Sequence, residues 1–130
     1  MCIIKGEVGK MKTILIVEDE EVDARQLESA AKSLGNQFNL VFAKSGMEAM
    51  DRIKKGLPDL VLLDISLPGY ISGRNLLFRK ELQDIPIILV SKAEEIDLKV
   101  LKVKFTNVKN YIHKPIDEKV LLSAIQEALK

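Results

Sequence analysis

Thr13-Ile14-Leu15-Ile16-Val17-Glu18-Asp19 is an unbroken apolar run that stops at two carboxylates. A run without polar alternation is what a strand buried on both faces requires. Its end delivers negative charge to one edge of a sheet. The same form returns twice, in Leu60-Val61-Leu62-Leu63 before Asp64 and in Tyr111-Ile112-His113 before Lys114-Pro115. Brought together, these ends place Glu18, Asp19 and Asp64 in one cleft with Lys114 opposite. Carboxylates gathered so closely repel one another unless a divalent cation neutralises them. The outline is that of a metal-and-phosphate site.

Outward from these strands, the chain alternates between two signals. The spacing of Val22, Leu27, Ala30, Ala31 and Leu34 predicts a helix over 20–34, with Gly35 as its C-terminal cap. Residues 38–42 read as a second strand. Met47, Met50 and Ile53 share one stripe of a helix over 45–54, with Gly56 beyond its end. A third helix is expected over 74–82, a fourth strand over 86–90, a fifth strand over 110–113 and a fifth helix over 117–129. The fourth helix, 94 to about 105, competes with a strand reading, because Leu101, Val103 and Phe105 alternate with Lys102 and Lys104. Ile96, Val100 and Val103 at helical spacing decide for helix. Five strands alternating with five helices imply a doubly wound α/β fold, a five-stranded parallel sheet covered on both faces. Ligands of such sheets sit beyond the carboxyl ends of the strands, where the charged residues lie.

The 130 residues and 47% hydrophobic content suit one domain with its own core. Twenty basic residues against nineteen acidic ones give a net charge of +1, which argues against a whole-surface field for nucleic acid or anionic membrane. There is no apolar stretch of membrane-spanning length, and Met1-Cys2-Ile3-Ile4-Lys5 lacks a signal-peptide core. Cys2, the one cysteine, can form no internal disulfide, and a cytoplasmic setting is the simplest expectation. Residues 1–10 read as an N-terminal extension to a domain over 11–130. Lys5-Gly6-Glu7-Val8 can be encoded by a purine-rich string of the kind that precedes a bacterial start. Met11 is therefore a candidate native start, and a short frayed extension is the alternative.

Asp64 is the first candidate for the chemistry. A carboxylate can attack a phosphoryl group and hold it as an acyl phosphate, beside a cation that screens the incoming charge. Asp19 and Glu18 suit Mg²⁺, a hard ion that prefers oxygen ligands. Lys114 is a point charge able to reach a phosphate oxygen, and Ser91 offers a hydroxyl at the end of the fourth strand. Each residue alone has a plainer reading, since acidic residues after strands also cap helices. The conjunction at four strand ends is what points to chemistry.

These segments resemble the receiver domain of two-component response regulators. Ile14-Leu15-Ile16-Val17-Glu18-Asp19-Glu20 is similar to that family's acidic-pair motif. Leu62-Leu63-Asp64-Ile65-Ser66-Leu67-Pro68-Gly69 is similar to its phosphoacceptor strand and loop, and Pro86-Ile87-Ile88-Leu89-Val90-Ser91 to its fourth strand with the switch hydroxyl. Tyr111-Ile112-His113-Lys114-Pro115 is similar to its fifth strand, lysine and proline. The resemblance runs over about residues 12–130. It implies a flavodoxin-like sheet in the order 2-1-3-4-5 and a regulatory domain rather than an enzyme. It implies that Asp64 accepts phosphate from a sensor histidine kinase or a histidine phosphotransfer protein. Mg²⁺ (or Mn²⁺) would be held directly by Asp19 and Asp64, through water by Glu18, and by the backbone carbonyl of Ser66. Lys114 would pair with the phosphoryl group, Ser91 would move to hydrogen-bond it, and Tyr111 would follow into the vacated space. The Lys114-Pro115 bond would be cis. Readout would pass through the face formed by helix four, strand five and helix five, to an undetermined protein target or a second copy of the chain.

Some residues depart from the family pattern. Serine replaces the common threonine at Ser91, and Lys92 stands where a small residue is usual. The loop Gly69-Tyr70-Ile71-Ser72-Gly73 is one residue longer than usual, and Asn107-Val108-Lys109-Asn110 replaces Gly-Ala-Asp-Asp. Asn107 tolerates a left-handed conformation, so it could still cap the fourth helix. Val108, bulkier than alanine, affects the packing of the readout face. His113, the only histidine, reads as a side chain facing a helix rather than one that tunes phosphate binding, and it has no second soft ligand for a zinc site. The lysines around helix four read as a solvated face, and Tyr70 as either a partner anchor or a lid. The chain as given ends just after the fifth helix, so the expected output is a protein contact, a phosphate relay or a phosphate sink. A receiver cut from a longer regulator is the alternative. A same-fold interaction module that works without phosphate is the competing function. An aspartyl-phosphate phosphatase fits less well, because Asp64-Ile65-Ser66 offers no second acid two positions on.

Overall fold

Strand β1 (Lys12–Val17) lies inside the sheet, between the second strand on one side and the third on the other. The computed structural model describes residues 11–35 and 37–130. The expectations about residues 1–10, Cys2 and the translation start lie outside the described residues. The remaining elements are α1 (Glu21–Ser33), β2 (Phe38–Ala43), α2 (Gly46–Lys55), β3 (Leu60–Leu63), α3 (Gly73–Leu77), a 3₁₀ turn (Lys80–Leu82), β4 (Ile87–Ser91), α4 (Glu95–Lys104), β5 (Val108–His113) and α5 (Glu118–Ala128). The strands are all parallel and ordered β2-β1-β3-β4-β5.

Side-chain alternation along the strands divides the core into two layers. Leu15 and Val17 of β1, Val61 and Leu63 of β3, and Ile87 and Leu89 of β4 face Met50, Ile53, Leu76, Leu77, Leu98 and Leu101. That layer belongs to α2, α3 and α4. Ile14 and Ile16, Leu60 and Leu62, and Ile88 and Val90 face Leu27, Ala30, Ala31, Leu121, Ala124 and Ile125 of α1 and α5. The three apolar runs are thus continuous because each residue is needed on one face or the other.

Helix ends follow from local chemistry. Gly35 at φ 113° closes α1, its N–H reaching Lys32 O at 3.0 Å, as the glycine predicts. Ser45 caps α2 by accepting from the Glu48 N–H, and Asp117 caps α5 by accepting from the Val120 N–H. At α3, the Ser72 hydroxyl and the Asn75 amide bond reciprocally to each other's backbone.

The structure differs from the sequence expectation at α3, α4, β5 and Asn107. The third helix does not run from 74 to 82. It stops at Leu77, Arg79 turns extended, and the chain resumes as the 3₁₀ turn. The cause lies in tertiary bonds. Asn107 donates its side-chain N–H groups to Leu82 O at 2.8 Å and Ile85 O at 3.1 Å, fixing the turn in place. Asn107 therefore does not cap α4 in a left-handed conformation; among the described residues only glycines have positive φ. Strand β5 begins at Val108, not 110, because a bulge between the Ile87 and Ile88 pairings accommodates Lys109. The fourth element is a helix as expected, but the stripe that predicts it points outward. Ile96, Val100 and Val103 are 65%, 54% and 80% exposed, while Leu98 and Leu101 face the core. Val108 is buried in the α2–α3–α4 layer, and the Lys114-Pro115 bond is cis.

Candidate functional site

Parallel register brings the charged strand ends level. Val17 pairs with Leu63 and Leu63 with Leu89, so Glu18 and Asp64 leave adjacent strands side by side. The ladder extends one residue past each end. The Asp64 N–H bonds Val17 O, the Glu18 N–H bonds Ala43 O and the Lys114 N–H bonds Ser91 O, at 2.9–3.0 Å. Side chains held this way sit on rigid backbone rather than loops.

Asp64 is buried and both its oxygens are engaged. Oδ1 accepts from the Ser66 N–H at 2.8 Å and from the Ser91 hydroxyl at 2.9 Å, and Oδ2 accepts from Lys114 Nζ at 2.9 Å. Burial works to raise the Asp64 pKa, but the Lys114 ammonium, the Ser66 amide and the Ser91 hydroxyl outweigh it and hold the carboxyl below its ordinary value. Asp64 is therefore an anion at neutral pH. Lys114 is almost wholly buried, yet Glu18, Asp23 and Asp64 overcome the cost of burial and raise its pKa, so it stays charged. Burial pushes the Glu18 carboxyl up to about 7 against the opposing pull of Lys114. Gly73 closes the floor of the site. A Cβ there would meet the Asp64 carbonyl oxygen and Ile65 Cα, so only glycine lets α3 start this close.

All the sequence-derived candidates lie at this end of the sheet. Glu18, Asp19 and Asp64 each present a carboxylate oxygen, all within 4.8 Å of one another. Ser66 adjoins Asp64, and its hydroxyl lies 3.4 Å from that of Ser91. Tyr111 pairs in register with Leu89 and is half-buried against the α2–α3–α4 layer. His113 and Lys92 are exposed, and Tyr70 is 95% exposed. Asp23, which sequence reasoning does not single out, also reaches the site. It lies in the first turn of α1, 2.9 Å from Lys114 Nζ. An acidic first turn reads as an ordinary complement to the helix dipole. Nothing local reveals that the lysine ninety-odd positions on meets it.

The donor set fits a hard divalent cation. Every available ligand is oxygen, which suits Mg²⁺ or Mn²⁺ and not a thiol- or imidazole-seeking metal. Glu18 Oε1 supplies a second sign. It lies 2.7 Å from Lys114 Nζ but off the line of that ammonium's hydrogen bonds, and it has no hydrogen-bond partner among the described residues. A buried carboxylate oxygen left without a bond is costly, and a cation beside Asp19 and Asp64 would satisfy it.

Comparison with known proteins agrees with this geometry. The family model described as response regulator receiver domain matches residues 14–126. PilH of Pseudomonas aeruginosa is 31% identical over 92% of this chain and 98% of its own length. The uncharacterized transcriptional regulatory protein YkoG of Bacillus subtilis is 36% identical over 90% of this chain. That match takes up 50% of YkoG, so the chain spans about half the length of that relative. The Mn²⁺-bound form of response regulator Rcp1 superposes with a TM-score of 0.73 at 26% identity, covering 89% of this chain and 90% of that one.

Proposed function

Because this chain belongs to the response regulator receiver domain family, we propose that it is a phosphoacceptor switch in which Asp64 takes a phosphoryl group from a phosphohistidine. Receiver domains are regulatory units of two-component signalling and bind a divalent metal at an acidic pocket. The observation that carries the finer reading is the state of Asp64: buried, anionic, and bonded at once to an ammonium, a hydroxyl and an amide.

In the proposed transfer, an Asp64 oxygen forms a bond to phosphorus as the bond from phosphorus to the donor nitrogen breaks. That nitrogen keeps the electron pair. Lys114 offsets the negative charge that arrives with the phosphoryl oxygens. Ser91, already donating to Asp64 Oδ1, is placed to turn its hydroxyl to a phosphoryl oxygen. Tyr111 would then move into the space so released. Glu18, Asp19, Asp64 and the Ser66 carbonyl would hold Mg²⁺ or Mn²⁺, which would screen the incoming charge.

The donor in this reading is a sensor histidine kinase or a histidine phosphotransfer protein. The readout face is α4–β5–α5, and the target is a protein or a second copy of the chain rather than nucleic acid or membrane. What supports that face is α4 itself, which turns Ile96, Val100 and Val103 to solvent. Apolar groups in a row on an exposed helix suit a protein contact. Among the described residues no helix is long and apolar enough to cross a membrane, and the setting proposed is the cytoplasm.

Intact mass after incubation with a small phosphodonor and Mg²⁺ tests the chemistry. A single phosphoryl adduct is expected, dependent on Mg²⁺ and lost in Asp64→Asn. A folded protein that binds Mg²⁺ but takes no adduct would favour an interaction module that works without phosphate.

A further inference from the structure

Lys114 has more carboxylate around it than phosphoryl transfer alone requires. Its ammonium lies 2.7 Å from Glu18 Oε1, 2.9 Å from Asp23 Oδ2 and 2.9 Å from Asp64 Oδ2. Two of these partners belong to the acidic cluster of Glu18, Asp19 and Asp64, in which one carboxylate oxygen from each residue lies within 4.8 Å of the others. Asp23 is not part of that cluster. It stands on α1, to the side of the pocket, and its side chain is 18% exposed.

The consequence follows from competition. A cation entering the cluster draws on Glu18 and Asp64, the same groups that hold the buried ammonium. With no other partner, the ammonium would be left in a nearly dry site without a counter-ion, a costly arrangement. It would then hold Glu18 and Asp64 against the metal. A carboxylate that bonds the lysine but lies outside the metal cluster removes this conflict. Resting on the reading that Glu18, Asp19 and Asp64 take a divalent cation, we infer that Asp23 is a positioning residue for Lys114. It retains the ammonium at the mouth of the pocket while the cation engages Glu18 and Asp64, and so leaves one N–H of Lys114 free to meet a phosphoryl oxygen.

Asp23 does not touch the transferred group in this account; it acts through Lys114. A charge effect on the cation, which any nearby carboxylate would exert, has to be separated from this role. A double-mutant cycle separates them. Mn²⁺ affinity is measured by titration for the full chain, for Asp23→Asn, for Lys114→Gln and for the double variant. Asp23→Asn is expected to weaken Mn²⁺ about tenfold where Lys114 is present and no more than about twofold in the Lys114→Gln background. Equal losses in both backgrounds would overturn the inference and leave only the charge effect.

A second measurement stands apart from the lysine variant and from its ability to fold. At saturating Mg²⁺, where a loss of metal affinity no longer shows, Asp23→Asn is expected to take up phosphoryl groups from phosphoramidate several-fold more slowly than the parent chain. Asp23→Glu, whose longer arm still reaches the ammonium, should recover most of that rate. An unchanged rate in Asp23→Asn at saturation would also overturn the inference. A parent chain that shows the Lys114-dependent Mn²⁺ loss but takes no phosphoryl group would overturn the phosphoacceptor reading while upholding the role of Asp23 toward the metal.

Discussion

Lys114 is the residue on which the site balances. Its ammonium stands among three carboxylates, and it is the one cation within reach of them among the described residues. Lys114→Met would set Glu18, Asp23 and Asp64 against one another with no counter-charge. A loss of roughly 3 kcal/mol in unfolding free energy is expected, the scale for removing one partner from a buried ion pair. Urea titration followed by circular dichroism measures it. Addition of Mg²⁺ should restore part of the loss, whereas the parent chain should gain less from the same addition. Gly73 shows a different constraint at the same scale. Gly73→Ala places a methyl group against the backbone of Asp64 and Ile65, and overpacking of that kind costs about 1–3 kcal/mol. A fall in the midpoint of thermal unfolding checks it.

At the scale of elements, what was legible in the sequence divides cleanly by cause. Strands β1, β3 and β4 were readable because burial on two faces forces the run at their centre to be apolar. The strand-end carboxylates, the hydroxyl and the lysine were readable because parallel strands deliver their ends to one edge. The break after α3 was not, since it depends on a side chain twenty-five positions away, Asn107, bonding Leu82 O. Helical spacing across Leu76, Leu77 and Leu82 carries no trace of it. Nor was the inner face of α4, because the helix is apolar on both sides and the outer stripe is the longer one. Asp23 escaped for the same reason as Asn107, its partner being distant in sequence. Asn107→Ala would remove the side-chain donor to Leu82 O, which keeps the Ile85 N–H, and the one to Ile85 O, and the two lost bonds should lower stability by about 1–3 kcal/mol. Hydrogen exchange should rise first across 78–85, the segment that Asn107 pins.

The whole molecule is a sheet shared by two helical layers. Leu62 and Leu63 are neighbours on β3, yet Leu62 supports the α1–α5 layer and Leu63 the α2–α3–α4 layer. Leu62→Ala and Leu63→Ala should each cost about 2–5 kcal/mol. Both are expected to shift one cooperative transition rather than release either layer separately, because the strands on which both layers stand are the same. Coincident unfolding curves from far-ultraviolet circular dichroism and tyrosine emission would establish this; two separated steps would contradict it.

The bulge at Lys109 also has a meaning for how such a chain can change length over generations. Val108 packs into one layer and Ile112 into the other, although both are even-numbered positions of the same strand. The extra residue between the Ile87 and Ile88 pairings is what switches the phase. Excising codon 109 would leave Val108 and Asn110 in consecutive register, with every side chain from Tyr111 to Lys114 still on its present face. Excising any codon from 111 to 113 would instead turn part of the strand inside out, exchanging core for solvent ahead of the lysine. Within β5, loss of a single codon is therefore tolerated only at the bulge, at the end of the strand farthest from the charged pocket.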